Sequence, residues 1–89
     1  MLNDWVELSK SELEKKGFTV TMSVDTSCTS VDLDCDKVVG TICFWEPNQF
    51  EFQFNYCDSS DVVVESVELG SINEISEYFR QLLIKMGIM

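Results

Sequence analysis

The first stretch of the chain places its apolar positions at the spacing of a helix. Leu2, Trp5, Val6, Ser9 and Leu13 fall within one stripe, with Leu8 at its margin. This spacing predicts a helix over residues 3 to 16. Asn3 is placed to accept from the free amides of the first turn, and Asp4 and Glu7 sit at the positive end of the helix dipole. Lys15 and Lys16 occupy the last turn, and Gly17 can take the left-handed conformation that ends it. The period then falls to two. Phe18, Val20, Met22 and Val24 alternate with Thr19, Thr21 and Ser23, the pattern of a strand with one wet face. Residues 25 to 30 are polar and turn-like. Val31, Leu33 and Cys35 alternate with Asp32, Asp34 and Asp36, which predicts a second strand. Residues 38 to 45 are nearly all apolar and suit a central strand. A tight turn at Glu46-Pro47-Asn48 follows, with Pro47 suited to its second position.

Phe50, Phe52, Phe54 and Tyr56 next alternate with Glu51, Gln53 and Asn55, and residues 58 to 61 turn the chain again. Residues 62 to 69 form a fifth strand that Gly70 ends. Ser71 and Glu74 make a capping box. Behind it, Ile72, Ile75, Phe79, Leu82, Leu83 and Met86 line one helix face, with Tyr78 on its flank. Short connections favour antiparallel neighbours, because a parallel pair needs a long crossover. Two apolar helix faces and one apolar sheet face must then be buried against one another. The expected fold is α+β: a five-stranded, curved antiparallel sheet with the N- and C-terminal helices packed on one face. The length allows one such domain, residues 1 to 89.

Charge changes the picture from fold to partner. Sixteen acidic residues against six basic ones give a net charge of -10. Between Gly17 and Phe79 there are twelve acidic residues and Lys37 alone, so the excess is concentrated in the middle of the chain. Such a surface repels phosphate, which argues against direct binding of nucleic acid or an anionic membrane and for a basic partner. Solubility alone is the competing explanation for the charge. The start of the chain has neither the basic residues nor the apolar stretch of an export signal. No apolar run nears the ~20 residues that span a bilayer. A cytoplasmic location is expected, with Cys28, Cys35, Cys43 and Cys57 reduced. Cys35 and Cys43 are placed to face each other across strands, but compartment and spacing argue against a disulfide.

No residue set carries chemistry of its own. The chain has no histidine, which removes the usual general base and the commonest neutral metal ligand. Cysteine spacings of seven, eight and fourteen do not suit a zinc site. Asp32, Asp34 and Asp36 imitate the start of a calcium loop, but its sixth and twelfth positions hold Lys37 and Cys43. The three remain as carboxylates on one strand face, a candidate docking surface. Glu65 and Glu68, three apart on a strand, leave from opposite faces and do not make an acid–base pair. The stripe of Phe50, Phe52, Phe54 and Tyr56 resembles a base-stacking platform, yet it lacks the basic residues that would hold a backbone, so core packing is expected. Trp45 is placed opposite Ile42 and Phe44, where it suits either an interface anchor or the cap of a sheet edge. Neither an enzyme nor a cofactor is expected.

Residues Val31-Asp32-Leu33-Asp34-Cys35-Asp36 and then Val39-Gly40-Thr41-Ile42-Cys43-Phe44-Trp45-Glu46 resemble the TriTu-type bacterial immunity proteins. The positions that carry the resemblance are Leu33, Asp34, Asp36, Gly40, Ile42, Trp45 and Glu46, with Glu65 and Glu68 in the fifth strand. The chain departs from the family's pattern at Thr41, where a basic residue is frequent, and in the late strand, which reads Val64-Glu65-Ser66-Val67-Glu68. The resemblance implies a small inhibitor that neutralises a toxin of polymorphic or contact-dependent type in the cell that makes both. Joined to the charge, it points to a basic toxin domain, a nuclease, covered at its substrate surface. The contact residues expected are Asp32, Asp34, Asp36, Trp45, Glu46, Glu65 and Glu68, on a protein that is a monomer or weak dimer when free. Two other readings use the same features: a nucleic-acid mimic acting on another basic protein, and a structural protein that self-associates through a sheet face.

Overall fold

The computed structural model describes residues 1–25 and 27–88. Of the turn expected over residues 25 to 30, Thr26 lies outside the described residues. The elements run α1 (Leu2–Lys15), β1 (Thr19–Val24), β2 (Thr29–Asp34), β3 (Val38–Trp45), β4 (Gln49–Tyr56), β5 (Val62–Glu68) and α2 (Ile72–Lys85). The strands form one open sheet in chain order, and every neighbouring pair is antiparallel. This is the α+β arrangement expected from the alternation of periods.

The sheet has a continuous register, so each cross-strand row keeps to one face. One row runs Met22, Val31, Ile42, Phe52 and Glu65, and the next runs Val20, Leu33, Gly40, Phe54 and Val63. These rows meet the helices. Leu33, Ile42, Phe50, Phe52 and Phe54 are fully buried there, with Leu2 and Trp5 of α1 and Ile75 of α2. Leaving water stabilises each such side chain by about 1.5–3 kcal/mol. Phe79 of α2 joins the layers, its ring lying 5.5 Å from Trp5, 6.2 Å from Phe18 and 6.2 Å from Phe54. The Trp5 indole N–H also donates to Ser76 Oγ at 3.0 Å, tying the helices together.

Gly40 stands in the core rows rather than at a bulge, since β3 pairs without interruption on both sides. A Cβ at this position would lie 2.2 Å from Phe54 Cδ1. The glycine is the hollow into which the Phe54 ring settles.

The helix ends differ from expectation in detail. The N-cap of α1 is Met1, without a side-chain cap bond, so Asn3 lies inside the helix and does not cap it. Gly17 has a φ of +96°, and Phe18 N–H donates to the Leu13 carbonyl at 3.0 Å. At α2, Glu74 N–H donates to Ser71 Oγ at 3.2 Å. The Glu74 carboxylate accepts from Gly70 N–H at 3.0 Å and from the Ser71 hydroxyl at 3.4 Å. The reciprocal cap thus closes one residue earlier than the standard capping box, which uses the cap residue's own amide.

Candidate functional site

The face of the sheet turned away from both helices is left uncovered by either of them. Its rows run Thr19, Asp34, Val39, Asn55 and Val62, then Thr21, Asp32, Thr41, Gln53 and Val64. Ser23, Ser30, Cys43, Glu51 and Ser66 follow, and Trp45, Gln49 and Glu68 complete it. Among the described residues no Lys or Arg belongs to any of these rows. Asp32, Asp34, Glu51 and Glu68 supply four carboxylates. Val62 and Val64 are 51% and 56% exposed, and Trp45 and Val39 are exposed at 36% and 39%. The face therefore mixes negative charge with accessible apolar surface.

Local sequence explains how each side chain arrives there. The alternation that buries Val31 and Leu33 turns Asp32 and Asp34 outward, and the one that buries Ile42 and Phe44 turns Cys43 and Trp45 outward. Asp32 stands opposite Thr41, whose hydroxyl donates to Asp32 Oδ1 at 2.9 Å. That contact orients the carboxylate but leaves its charge uncompensated. The Cys43 thiol registers the local field. Burial pushes its pKa up first, and Cys28, Glu51 and Asp32 add negative charge that pushes it further.

The residues singled out from sequence divide into three groups. Asp32, Asp34, Trp45 and Glu68 share the open face. Asp36 does not continue the row of carboxylates: β2 ends at Asp34, and the chain bends at Asp36 before β3. Cys35 N–H donates to the Val38 carbonyl at 2.9 Å, which closes that turn. Glu46 lies in the turn between β3 and β4 at the other end of the sheet, and its peptide bond to Pro47 is cis. Glu65 stands on the helix side, in the row of Phe52 and Ile42. There it accepts a hydrogen bond from the Tyr78 hydroxyl and one from Lys85 Nζ at 2.6 Å. Both contacts hold its carboxyl below the usual range, the Lys85 bond being the larger cause.

Glu51, Val39, Val62 and Val64 belong to the face but were not singled out. Strand alternation was the signal for Glu51, since Phe50 and Phe52 on either side are buried. The valines carried no such signal, because the run of three from Val62 and the nearly all-apolar segment around Val39 read as core from either side. The four cysteines are free. Cys35 and Cys43 do not face each other: Cys43 pairs with Ser30 and Glu51, and the Cys57 thiol points at the Cys35 carbonyl at 3.9 Å. Among the described residues no group of three or more His, Cys, Asp or Glu side chains could hold a metal ion. No described helix is long and apolar enough to cross a membrane.

A model of one protein family, the immunity protein TriTu, matches residues 1–85. The chain belongs to the TriTu immunity protein family. No curated protein and no solved structure matches it. The family match covers both helices and all five strands, so it includes the open face and the helix-covered one alike. Membership gives this chain a toxin-immunity role, which makes a surface able to engage a toxin the feature to find. The helix-free sheet face is the candidate.

Proposed function

We propose that this TriTu protein neutralises its toxin by laying the helix-free sheet face over a basic surface that the toxin uses to hold its substrate. The observation that carries the reading is the sorting of charge. Asp32, Asp34, Glu51 and Glu68 share one face with Trp45, and no basic side chain of the described residues belongs to it. Nucleic-acid-cleaving domains must present cationic surface to phosphate, so an acidic cover competes with their substrate directly. On this reading the toxin is a nuclease and the inhibition needs no chemistry by the inhibitor. Asp32, Asp34, Trp45 and Glu68 form the contact, with Asp36 and Glu46 at its two ends. Trp45 supplies the anchoring aromatic area, and the carboxylates supply orientation and association rate. The protein acts in the cytoplasm of the cell that makes the toxin, as a monomer or weak dimer when free.

The test is binding to the cognate toxin domain. Trp45→Ala should weaken the complex about thirtyfold, the order expected of a buried aromatic anchor. Asp34→Lys should slow association, most strongly at low salt. Affinity unchanged by both substitutions overturns the face assignment. A toxin domain that degrades neither DNA nor RNA, in a form the protein still inhibits, overturns the nuclease step alone.

A further inference from the structure

The two edges of the sheet are built differently. β5 carries Glu65 and Glu68, and Glu65 is an inward-pointing charge tied to Tyr78 and Lys85 of α2. An inward charge is one of the devices by which proteins keep a sheet edge from pairing with another chain. β1 has no such device. Its six residues, Thr19–Val24, contain no charge, no proline and no glycine. Among the described residues the strand pairs only with β2, so its other side carries amides and carbonyls without a strand partner there.

The side chains of β1 specify what would fit beside it. On the helix side stand Val20, Met22 and Val24. Val20 and Met22 are half-buried against the core, and Val24 is 72% exposed. An added strand would set its apolar side chains next to them and extend the core by one row. On the open side, Thr19 and Thr21 stand directly across from Asp34 and Asp32. A strand added outside β1 lies about 10 Å from β2, two strand spacings. Short side chains do not cover that distance, but Lys and Arg can reach over a threonine to the carboxylates. The net charge of -10 opposes a second copy of this chain at the same edge.

We propose that the outer edge of β1 accepts an extended segment of the toxin as a sixth strand, one whose side chains alternate between apolar and basic. That the occupant is a toxin segment rests on the immunity reading above; the open edge does not. Main-chain hydrogen bonds would supply affinity, and alternate side chains would supply selectivity.

The probe is a blocked octapeptide of alternating lysine and valine, with an alternating glutamate–valine octapeptide as control, read by amide hydrogen exchange on the intact protein. With the lysine peptide at ten times its Kd, the outward amides of β1 should exchange about tenfold more slowly. The glutamate peptide should leave them unchanged. Thr21→Lys, which sets an ammonium across from Asp32, should weaken the lysine peptide, and Thr21→Glu should strengthen it. Both variants alter an exposed position, and unchanged exchange in β3 and β4 verifies their folding. No slowing, equal slowing by both peptides, or slowing at β5 instead overturns the proposal. So does slowing without peptide that grows with protein concentration, which would mean self-pairing. In a complex with the toxin, full affinity with fast β1 amides removes strand addition and leaves the sheet-face reading standing. A toxin that does not bind at all removes that reading while the peptide result still decides the edge.

Discussion

Gly40 has the smallest side chain in the core rows and the least room for change. A Cβ there would meet Phe54 Cδ1 at 2.2 Å and the Gln53 carbonyl oxygen at 2.5 Å. The ring could turn aside at some cost, but the carbonyl belongs to the β4 backbone and cannot move without breaking register. Gly40→Ala should therefore destabilise the protein by about 1–3 kcal/mol, the usual penalty of overpacking. Urea denaturation would measure it, and an unchanged midpoint would mean that β3 and β4 do not approach so closely. Glu65 is instructive for the opposite reason, because its partners give it a pH signature. Its pKa is depressed in the folded protein by Lys85 and Tyr78. Its contribution is therefore complete above the unfolded value of about 4.3 and is lost as pH falls through the folded one. Tyr78 is pushed up to about 12, by burial first and by Glu65 next. Its share is complete below the unfolded value of about 10 and is lost as pH rises through the folded one. Glu65→Gln should lower Tm most between these limits, and the difference from the parent should shrink as pH falls below about 4.3 and vanish only below the depressed folded pKa. A difference independent of pH would remove the electrostatic account.

At the scale of elements, the two helices are held by different means. α1 has no side-chain cap and depends on what it buries: Leu2, Trp5, Val6 and Leu13, together with the Trp5–Ser76 bond. α2 has a fully formed cap, with Ser71 accepting from Glu74 N–H while Glu74 returns to Gly70 N–H. Ser71→Ala removes the acceptor of the first bond and should cost about 1 kcal/mol. The loss should appear in thermal unfolding and as faster exchange in the first turn of α2. Equal loss along the whole helix would mean that the cap acts on global stability only. The strands follow the same logic of position. β3 and β4 have neighbours on both sides and contribute the fully buried Ile42, Phe50, Phe52 and Phe54. β1 and β5 have one neighbour each and keep their apolar residues half-buried or exposed.

For the molecule as a whole, charge is divided by layer. The two helices with the α1 cap residue Lys16 hold five basic and six acidic residues, whereas the strands and the loops outside them hold Lys37 against ten. The helix layer is nearly neutral and partly self-paired, as Arg80 and Glu77 are at 2.7 Å. The excess negative charge accordingly lies outside the helix layer, in the strands and the loops that join them. Association with a basic toxin domain should be fast at low salt and fall steeply as ionic strength shortens the Debye length, with dissociation much less affected. Stopped-flow kinetics across a salt series would check this. An association rate indifferent to salt would mean that charge does not guide the encounter.

The order of elements was legible in the chain because the local period changes with local structure. The buried stripe of α1, the alternation from Phe50 to Phe54 and the Ser71–Glu74 cap each declare themselves within a few residues. The outward placement of Asp32, Asp34, Trp45 and Glu68 follows from that alternation, since a strand residue faces the opposite way from its inward-pointing neighbour. Register across strands is a different kind of information, set by pairings between distant segments. Only the fold could decide that Glu65 lies with Lys85 under α2, that Asp36 leaves its strand, and that three valines join the open face. Which edge stays open is likewise a property of strand order, because an uncharged segment such as β1 reads the same in sequence whether it has one neighbour or two.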